Sequence, residues 1–501
     1  MARLTPTDES NARRFAARHA DKLRFASALG WLAWDGMRWE PGAALRAMEL
    51  AKETGRSLYA DAAKQTDDAA RQRLVSHAQY SCSKAGLTAM LELARSEPAL
   101  LVLAEQLDAD SWLLNCQNGT LDLRTGELRA HRVEDLITKV AGAAYEPDAK
   151  SSIFDAYRAR VFGGDRDLEM FVQRACGYCL TGSTAEEVFF VAYGGPASGK
   201  TTIVEAMSAA LGDYATPTPI QTFLRRRNQE GPRNDLARLV GSRLVTATEV
   251  PPGQYFDQAS VKQLTGGDRV PARFLYREYF DFTPAFKIWI AANHRPRVRD
   301  DDPAIWRRIL AIPFKVEIPK AERQPQIKQC LRDPARDGRA VLAWAVEGCL
   351  AYQRDGLAPP RTIQQATAEY RDESDTFGRF LEDCAVLGPA EWTPWEVIAA
   401  AYRNWCARNG NRYPLGEASL RERLRSRDCA PEKGNGVRGW KGIRFGFPLP
   451  KAVDSRDTLD SESGNFSLDG PSGKFPKEVS NTVPLSTEDD NTSASDPRKL
   501  C

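Results

Sequence analysis

The sequence predicts an α/β fold built around a strand–glycine loop–helix core, with a helical domain before it and a small helix–helix–hairpin module after it. Three observations carry that prediction. An apolar, β-forming run, VFFVAY (Val188–Tyr193), enters a glycine-rich loop, GGPASGK, which opens a helical stretch, TIVEAMSAALG. Two further buried-strand patterns, RLVTATEV and FKIWIAANHRP, end in the polar residues Glu249 and Asn293. A helix, a second helix and a basic, glycine-rich hairpin then succeed one another between Trp395 and Phe445.

The spacing of Gly194, Gly199, Lys200 and Thr201 is that of a phosphate-binding P-loop. A triphosphate needs several backbone N–H donors at close range, so side chains must be absent at the glycines. It also needs a point cation, supplied by Lys200, and a hydroxyl for magnesium, supplied by Thr201. The nucleotide cradle therefore comprises Gly194, Gly195, Pro196, Ala197, Ser198, Gly199, Lys200, Thr201 and Thr202, with ATP and Mg²⁺ as the expected cofactors.

With 501 residues the chain has room for about three domains. Its hydrophobic share of 42% is that of a globular protein, and no apolar run is long enough to predict a membrane span. MARLTPTDESNARRF lacks the apolar core of a secretory signal, so a cytoplasmic setting is expected. Net charge is +2, but residues 452–501 hold ten acids and five bases, leaving a mildly basic remainder. The ten cysteines are scattered. Cys176 and Cys179 form one C-x-x-C inside a helical pattern with no second pair to complete a zinc site, so they read as core thiols.

In chain order, residues 1–150 read as a helical and mixed N-terminal domain. Within it NARRFAARHADKLRF (11–25) is an amphipathic helix, and GWLAWDGMRW turns at Asp35-Gly36, its tryptophans favouring a core role over base stacking. NCQNGTLDLRTGELRAH predicts short strands with turns at Asn118-Gly119 and Thr125-Gly126. Residues 151–185 are a helical lead-in, 186–320 the ATPase core and 321–385 a helical extension. Residues 386–447 form a winged-helix-like module, and the Ser-, Asp- and Pro-rich 448–501 a disordered acidic tail.

Four features downstream of the glycine loop bear on chemistry. Glu249, at a strand end, can hold Mg²⁺ and polarise water, although alone it is equally an ordinary strand-terminal carboxylate. KQLTGGDRVPARFLYREYFDF (Lys262–Phe282) is a turn and hairpin whose Lys262, Arg273, Tyr276 and Arg277 suit a sugar-phosphate backbone, or else a solvated hairpin. Asn293 can sense a γ-phosphate or simply begin a turn. Arg307 and Arg308 precede the strand ILAIPF, where a guanidinium offered to a neighbouring subunit stabilises transition-state charge.

Order and spacing together resemble the superfamily 3 helicases. More narrowly, they resemble the C-terminal helicase module of phage and plasmid primases, related to the poxvirus primase-helicase. The most specific stretches are EVPPGQYFDQASVKQLTGGDRVPARFLY, FKIWIAANHRPRV and IWRRILAIPF, and the resemblance runs from about Asn11 to Phe447. It implies an AAA+-like core. Lys200 and Thr201 would grip phosphates and Mg²⁺, Glu249 would be the second acidic motif, Asn293 the sensor, and Arg308, in preference to Arg307, the arginine finger. Two departures stand out: Ser198 replaces an asparagine common in the family, and Thr248 replaces the first of two acids, so Glu249 does both jobs.

The activity implied is that of an ATP-dependent replicative helicase, a homo-hexameric ring moving 3′ to 5′ on single-stranded and forked DNA beside a separate primase. Asp108-Ala109-Asp110 matches the Asp-x-Asp of a primase centre, but it ends an amphipathic helix, LVLAEQLDAD, rather than lying on a strand, so no polymerising activity is expected. The alternatives are an ATP-gated origin-binding initiator or helicase loader, and a non-enzymatic DNA-binding prophage remnant. In the C-terminal module Arg421, Arg423, Arg425, Arg427, Lys433, Arg438, Lys441 and Arg444 fit DNA contact and mere solubility equally well, as do Arg225–Arg227.

Overall fold

The computed structural model describes residues 6–225, 233–251, 253–273, 279–298, 303–410, 414–434 and 436–445. The chain divides into two units, Met1–Gly446 and Phe447–Cys501, and every described residue belongs to the first. The expected acidic tail, Tyr276, Arg277, Arg226 and Arg227 lie outside the described residues.

The chain opens with α1 (Asp8–His19), capped by Thr7, whose hydroxyl accepts from the Ser10 N–H. The helix expected to reach residue 25 stops at His19, and β1 (Leu23–Ala26) pairs with β2 (Gly30–Trp34) instead. Tertiary pairing outweighs helix periodicity there: Leu23 and Ala26, on opposite faces of the strand, are both buried, each in its own apolar cluster. β3 (Trp39–Pro41) completes this sheet across the Asp35 turn, where one carboxylate oxygen accepts from the N–H groups of Met37 and Arg38. Trp31 and Trp39 are buried, the core role expected of them. Helices α2 (Ala44–Ala63), α3 (Asp68–Ser81) and α4 (Lys84–Ala94) follow.

β4 (Leu113–Cys116), β5 (Gly119–Asp122) and β6 (Glu127–Arg129) form the second predicted sheet, an antiparallel meander. Just before it, the expected helix over LVLAEQLDAD is a single 3₁₀ turn, Ala104–Gln106, followed by Asp108 in a left-handed conformation. Asp108 accepts from the N–H and hydroxyl of Thr138, while Asp110 pairs with Arg124 at 2.7 Å. The two carboxylates are thus committed to different partners.

Helices α5 (Ser152–Phe162) and α6 (Arg166–Leu180) lead into β7 (Phe189–Tyr193). Next come α7 (Lys200–Leu211), β8 (Ala215–Pro217), α8 (Asn234–Ala237), β9 (Leu244–Thr248) and α9 (Gln258–Thr265). The antiparallel pair β10 (Val270–Ala272) and β11 (Phe280–Phe282) precedes β12 (Lys287–Ala292), α10 (Pro303–Trp306) and β13 (Ile309–Pro313). Five of these strands make one parallel sheet in the order β13-β7-β12-β9-β8.

Both faces of that sheet are covered, which is why β7, β12 and β13 are largely apolar, while β8 at the edge is not. Alternation sorts the side chains: Phe190, Ala192, Trp289, Ala291 and Ile312 face a core shared with α6 and α7, whereas Phe189, Val191, Ile288, Ile290 and Ile309 face a second core. Cys176 and Cys179 sit in the first of these, where Cys179 Sγ accepts from Trp289 Nε1. Two buried basic side chains tie the sheet's amino edge to the rest. Arg243 donates to the carbonyls of Leu180 and Leu113 at 2.7 Å each, and Lys287 donates to those of Thr181 and Ser183.

Beyond the sheet, the expected helical extension consists of α11 (Pro325–Leu331), α12 (Gly338–Asp355), α13 (Arg361–Ser374) and α14 (Thr376–Cys384), the last two separated by Asp375, which caps α14. The expected helix–helix–hairpin module is α15 (Trp395–Arg408), α16 (Glu417–Arg425) and the pair β15 (Ala430–Gly434) with β16 (Val437–Phe445). An additional strand at the start of the module, β14 (Ala385–Pro394), adds to β16 across a bulge between Leu387 and Trp392. Among the described residues no helix is long and apolar enough to cross a membrane.

Candidate functional site

The register of the parallel sheet assembles the site. Tyr193 lies opposite Ala292, and Ala291 lies opposite Thr248. The residues that leave these three adjacent strands, Gly194, Asn293 and Glu249, therefore share the carboxyl edge of the sheet. In open parallel sheets this is the edge where ligands bind.

Between β7 and α7 the glycine loop makes a tight crossing. A Cβ at Gly194 would lie 2.1 Å from the Phe314 carbonyl oxygen, so only glycine lets the loop approach β13 this closely. Gly199 has φ +86° and backs onto α5, where a Cβ would lie 2.5 Å from Val161 Cγ2. Tyr157 of α5 donates its hydroxyl to the Gly199 carbonyl at 2.9 Å, pinning the loop at the point where α7 begins. Gly195, by contrast, faces open space.

Lys200 occupies the first position of α7, with only 5% of its surface exposed. Its ammonium donates to Asn293 Oδ1 at 2.6 Å and to the carbonyls of Gly195 and Gly194 at 3.0 and 3.2 Å. All three acceptors are neutral, and burial holds the lysine below its ordinary pKa. The hydroxyl of Ser198 is buried without a hydrogen-bond partner. α7 starts with no side-chain cap and no acid in its first turn, so its amino-terminal dipole faces the loop uncompensated. An anion with several oxygens fits these features. Thr201 and Thr202, half-buried in the same turn, and Pro196 and Ala197 complete the loop, with Ala197 at φ +57°.

Glu249 is exposed and holds φ +62°, a conformation costly for a residue with a side chain. Asn293 is also exposed beyond its lysine contact. These two, Lys200 and the loop are the expected residues that the fold brings together.

Arg308 is placed differently. It lies before β13, at the opposite, amino edge of the sheet, donating to Glu187 at 2.6 Å and to the Ala304 carbonyl at 3.2 Å, with its side chain 8% exposed. Arg307 beside it is 68% exposed, 3.9 Å from the same Glu187. Lys262 lies in the last turn of α9, ahead of the Gly266-Gly267 turn, where Gly267 takes φ +75°. Arg273, just past β10, stacks on Tyr279 with its guanidinium 4.6 Å from the ring centroid. Tyr157 and Glu187 were not legible as site residues, because each acts through a contact more than forty positions away and neither stands in a local motif.

Parts of the chain are similar to known proteins. Residues 12–163 match the family described as D5 N terminal like. "Putative helicase L207/L206" of Acanthamoeba polyphaga mimivirus is 27% identical over 299 residues, covering 56% of this chain and 31% of its own length. "Putative helicase 022R" of Frog virus 3 is 27% identical over 270 residues, covering 51% and 28%. "Putative primase C962R" of African swine fever virus (isolate Tick/Malawi/Lil 20-1/1983) is 23% identical over 331 residues, covering 61% and 34%. This chain thus spans about a third of these relatives' length. The solved C-terminal region of NrS-1 covers 84% of the chain and 95% of its own, at 9% identity and a TM-score of 0.49. The chain carries a D5-type N-terminal domain and is related to viral proteins named for helicase and primase roles.

Proposed function

We propose, with that kinship as the premise, that the chain is the ATP-driven motor of a replicative DNA helicase of phage or plasmid type. It works as a hexameric ring that moves 3′ to 5′ on single-stranded DNA. The observation that carries this reading is Lys200: a buried ammonium bonded only to neutral oxygens, beside an uncapped helix start and an unpartnered serine hydroxyl.

In this reading Gly194–Thr202 is the P-loop that cradles the triphosphate of ATP, and Lys200 leaves Asn293 to meet the phosphates. Thr201 and Glu249 would hold Mg²⁺, which when bound supplies neutralisation of the phosphate charge. Asn293, freed of the lysine, orients water or reads the terminal phosphate, and Glu249 takes the proton of the attacking water. Lys262 and Arg273, with Tyr276 and Arg277, would contact the DNA backbone, and the module 386–447 is a winged helix. A neighbour's arginine would complete the site. Arg308 is the residue expected there, but its brace to Glu187 favours the exposed Arg307 as the group offered in trans. The separate commitments of Asp108 and Asp110 support reading this chain as a helicase rather than a primase part.

The test is strand displacement on a forked DNA with ATP, beside Lys200→Ala. Displacement by the wild type alone is expected. ATP hydrolysis without displacement would transfer the reading to an initiator or loader, and no nucleotide binding at all would overturn it.

A further inference from the structure

Arg295 lies two residues past Asn293, on the segment that leaves β12. Its guanidinium sits between two tyrosine rings, 4.4 Å from the centroid of Tyr193 and 5.0 Å from that of Tyr370. It also donates to Glu373, and its side chain is only 14% exposed. These partners belong to two different parts of the fold. Tyr193 is the last residue of β7, directly before Gly194, whereas Tyr370 and Glu373 lie on α13.

The same segment is tied in on every side. Tyr370 donates its hydroxyl to the Pro296 carbonyl. Arg297 exchanges backbone bonds with the stretch after Glu249, donating to Gln254 O at 2.7 Å and accepting from Phe256 N at 3.1 Å. Asn293, at its start, accepts from Lys200. Whatever draws the lysine toward an anion therefore releases one end of a segment whose next anchor is the Arg295 stack.

We infer that Arg295 is a positioning residue that couples occupancy of the glycine loop to α13 and, through it, to the C-terminal module. This rests on the nucleotide-binding reading above. The route onward is short. α13 ends at Asp375, whose carboxylate accepts from Gly378 N at 2.7 Å to start α14 and from Arg427, just past α16, at 2.8 Å. A displacement of α13 thus reaches the start of α14 and the end of α16, the second helix of the module, through one carboxylate. A ligand shifts such an equilibrium only by its differential contacts, and exchanging the Lys200–Asn293 bond for a phosphate contact supplies that difference.

The experiment uses the full chain as wild type, Arg295→Ala, Arg295→Lys and Glu373→Gln. Steady-state ATP hydrolysis is measured with and without single-stranded DNA, and hydrogen exchange of residues 361–374 with and without a non-hydrolysable ATP analogue. In Arg295→Ala we expect basal kcat and KM to stay near wild type. Stimulation by DNA should fall about fivefold or more, and the exchange response of α13 to nucleotide should disappear. Arg295→Lys, which keeps the charge toward Glu373, recovers part of both, and Glu373→Gln, altered from the exposed side, weakens both without disturbing folding. Wild-type coupling in a folded Arg295→Ala overturns the inference. Loss of basal turnover in proportion to stimulated turnover also overturns it, because Arg295 would then act on the nucleotide itself. A wild type that binds the analogue without a response in α13 overturns the coupling alone. A wild type that binds no nucleotide overturns the reading beneath it as well. An α13 response without DNA stimulation keeps the coupling and removes the DNA-driven motor.

Discussion

Arg308 reaches across 121 residues of sequence to pair with Glu187 at 2.6 Å, while its neighbour Arg307 stays 68% exposed near the same carboxylate. Two adjacent arginines thus have different physical roles. Removing Arg308 breaks an ion pair whose arginine is buried but whose Glu187 is 43% exposed, and is expected to cost about 1–2 kcal/mol of stability. Arg307→Ala should fall within about 0.5 kcal/mol of wild type, yet lose ATP turnover by about 10³-fold if it completes a neighbour's site. Urea denaturation beside an ATPase assay separates the two. Wild-type turnover in Arg307→Ala would remove it from the mechanism, and recovery of activity on mixing Arg307→Ala with Lys200→Ala would establish action in trans.

Asn293→Asp places a carboxylate where Lys200 now meets a neutral amide oxygen at 2.6 Å. The charge-assisted bond is about twice as strong, so a triphosphate must compete with it. Nucleotide affinity should fall about tenfold or more, as read by titration of a fluorescent ATP analogue. Unchanged affinity would mean that Lys200 does not move to meet the ligand.

Gly199→Ala combines a φ of +86° with a Cβ 2.5 Å from Val161 Cγ2. The left-handed backbone alone costs about 1–2 kcal/mol, and the clash adds to it. Val161→Ala should relieve the clash but not the backbone strain, so the double variant recovers only part of the lost stability. Full recovery in thermal melts would show that the backbone at Gly199 relaxes.

His19 is buried in the N-terminal domain, its Nε2 bonded to Thr54 Oγ1 at 2.9 Å and its Nδ1 without a partner. Burial lowers its pKa, and the same cause lowers that of His77, whose Nε2 lies 3.0 Å from Asn11 Oδ1. A depressed histidine binds its proton more readily unfolded than folded. Its stability contribution is therefore complete above about pH 6.5 and is lost as pH falls toward the folded value. Denaturation midpoints should drop between pH 7 and pH 5, and less steeply in His19→Gln. Equal slopes would place the acid sensitivity elsewhere.

Lys287 shows the same sign in a higher window. Complete burial lowers its pKa to about 7, from about 10.5 in the unfolded chain. Between these values only the unfolded state carries the proton, so this group makes stability rise as pH increases from about 7 to 10.5. Lys287→Met removes the titration and leaves the Thr181 and Ser183 carbonyls without their donor. The stability of the wild type relative to the variant should therefore grow from pH 7 to pH 10, as measured by chemical denaturation. A constant difference would mean that Lys287 does not change protonation on unfolding in this range.

What could be read without the fold were features whose cause is local. The glycine loop, the strand before it, the helix after it and the polar ends Glu249 and Asn293 are legible because spacing, turn chemistry and periodicity operate within a few residues. The same local rules misplaced elements whose identity depends on a distant partner. Residues 23–26 continue a helical pattern but pair with Gly30–Ala33, and Ala385–Pro394, interrupted by Gly388 and Pro389, becomes a strand only beside β16. The helical extension expected over 321–385 is interrupted at Asp375, whose side chain is engaged by Arg427. The partners of the key residues were beyond reach for the same reason. The Lys200–Asn293 contact, the Tyr157 hydroxyl on Gly199, the Glu187 brace on Arg308 and the Arg295 stack join positions 42 to 121 residues apart or several elements at once. The sequence by itself determined which chemical groups the chain brings to its central loop. Only the tertiary structure decided which of them meet, because side chains on different strands become neighbours through sheet order and register, and a linear pattern encodes neither.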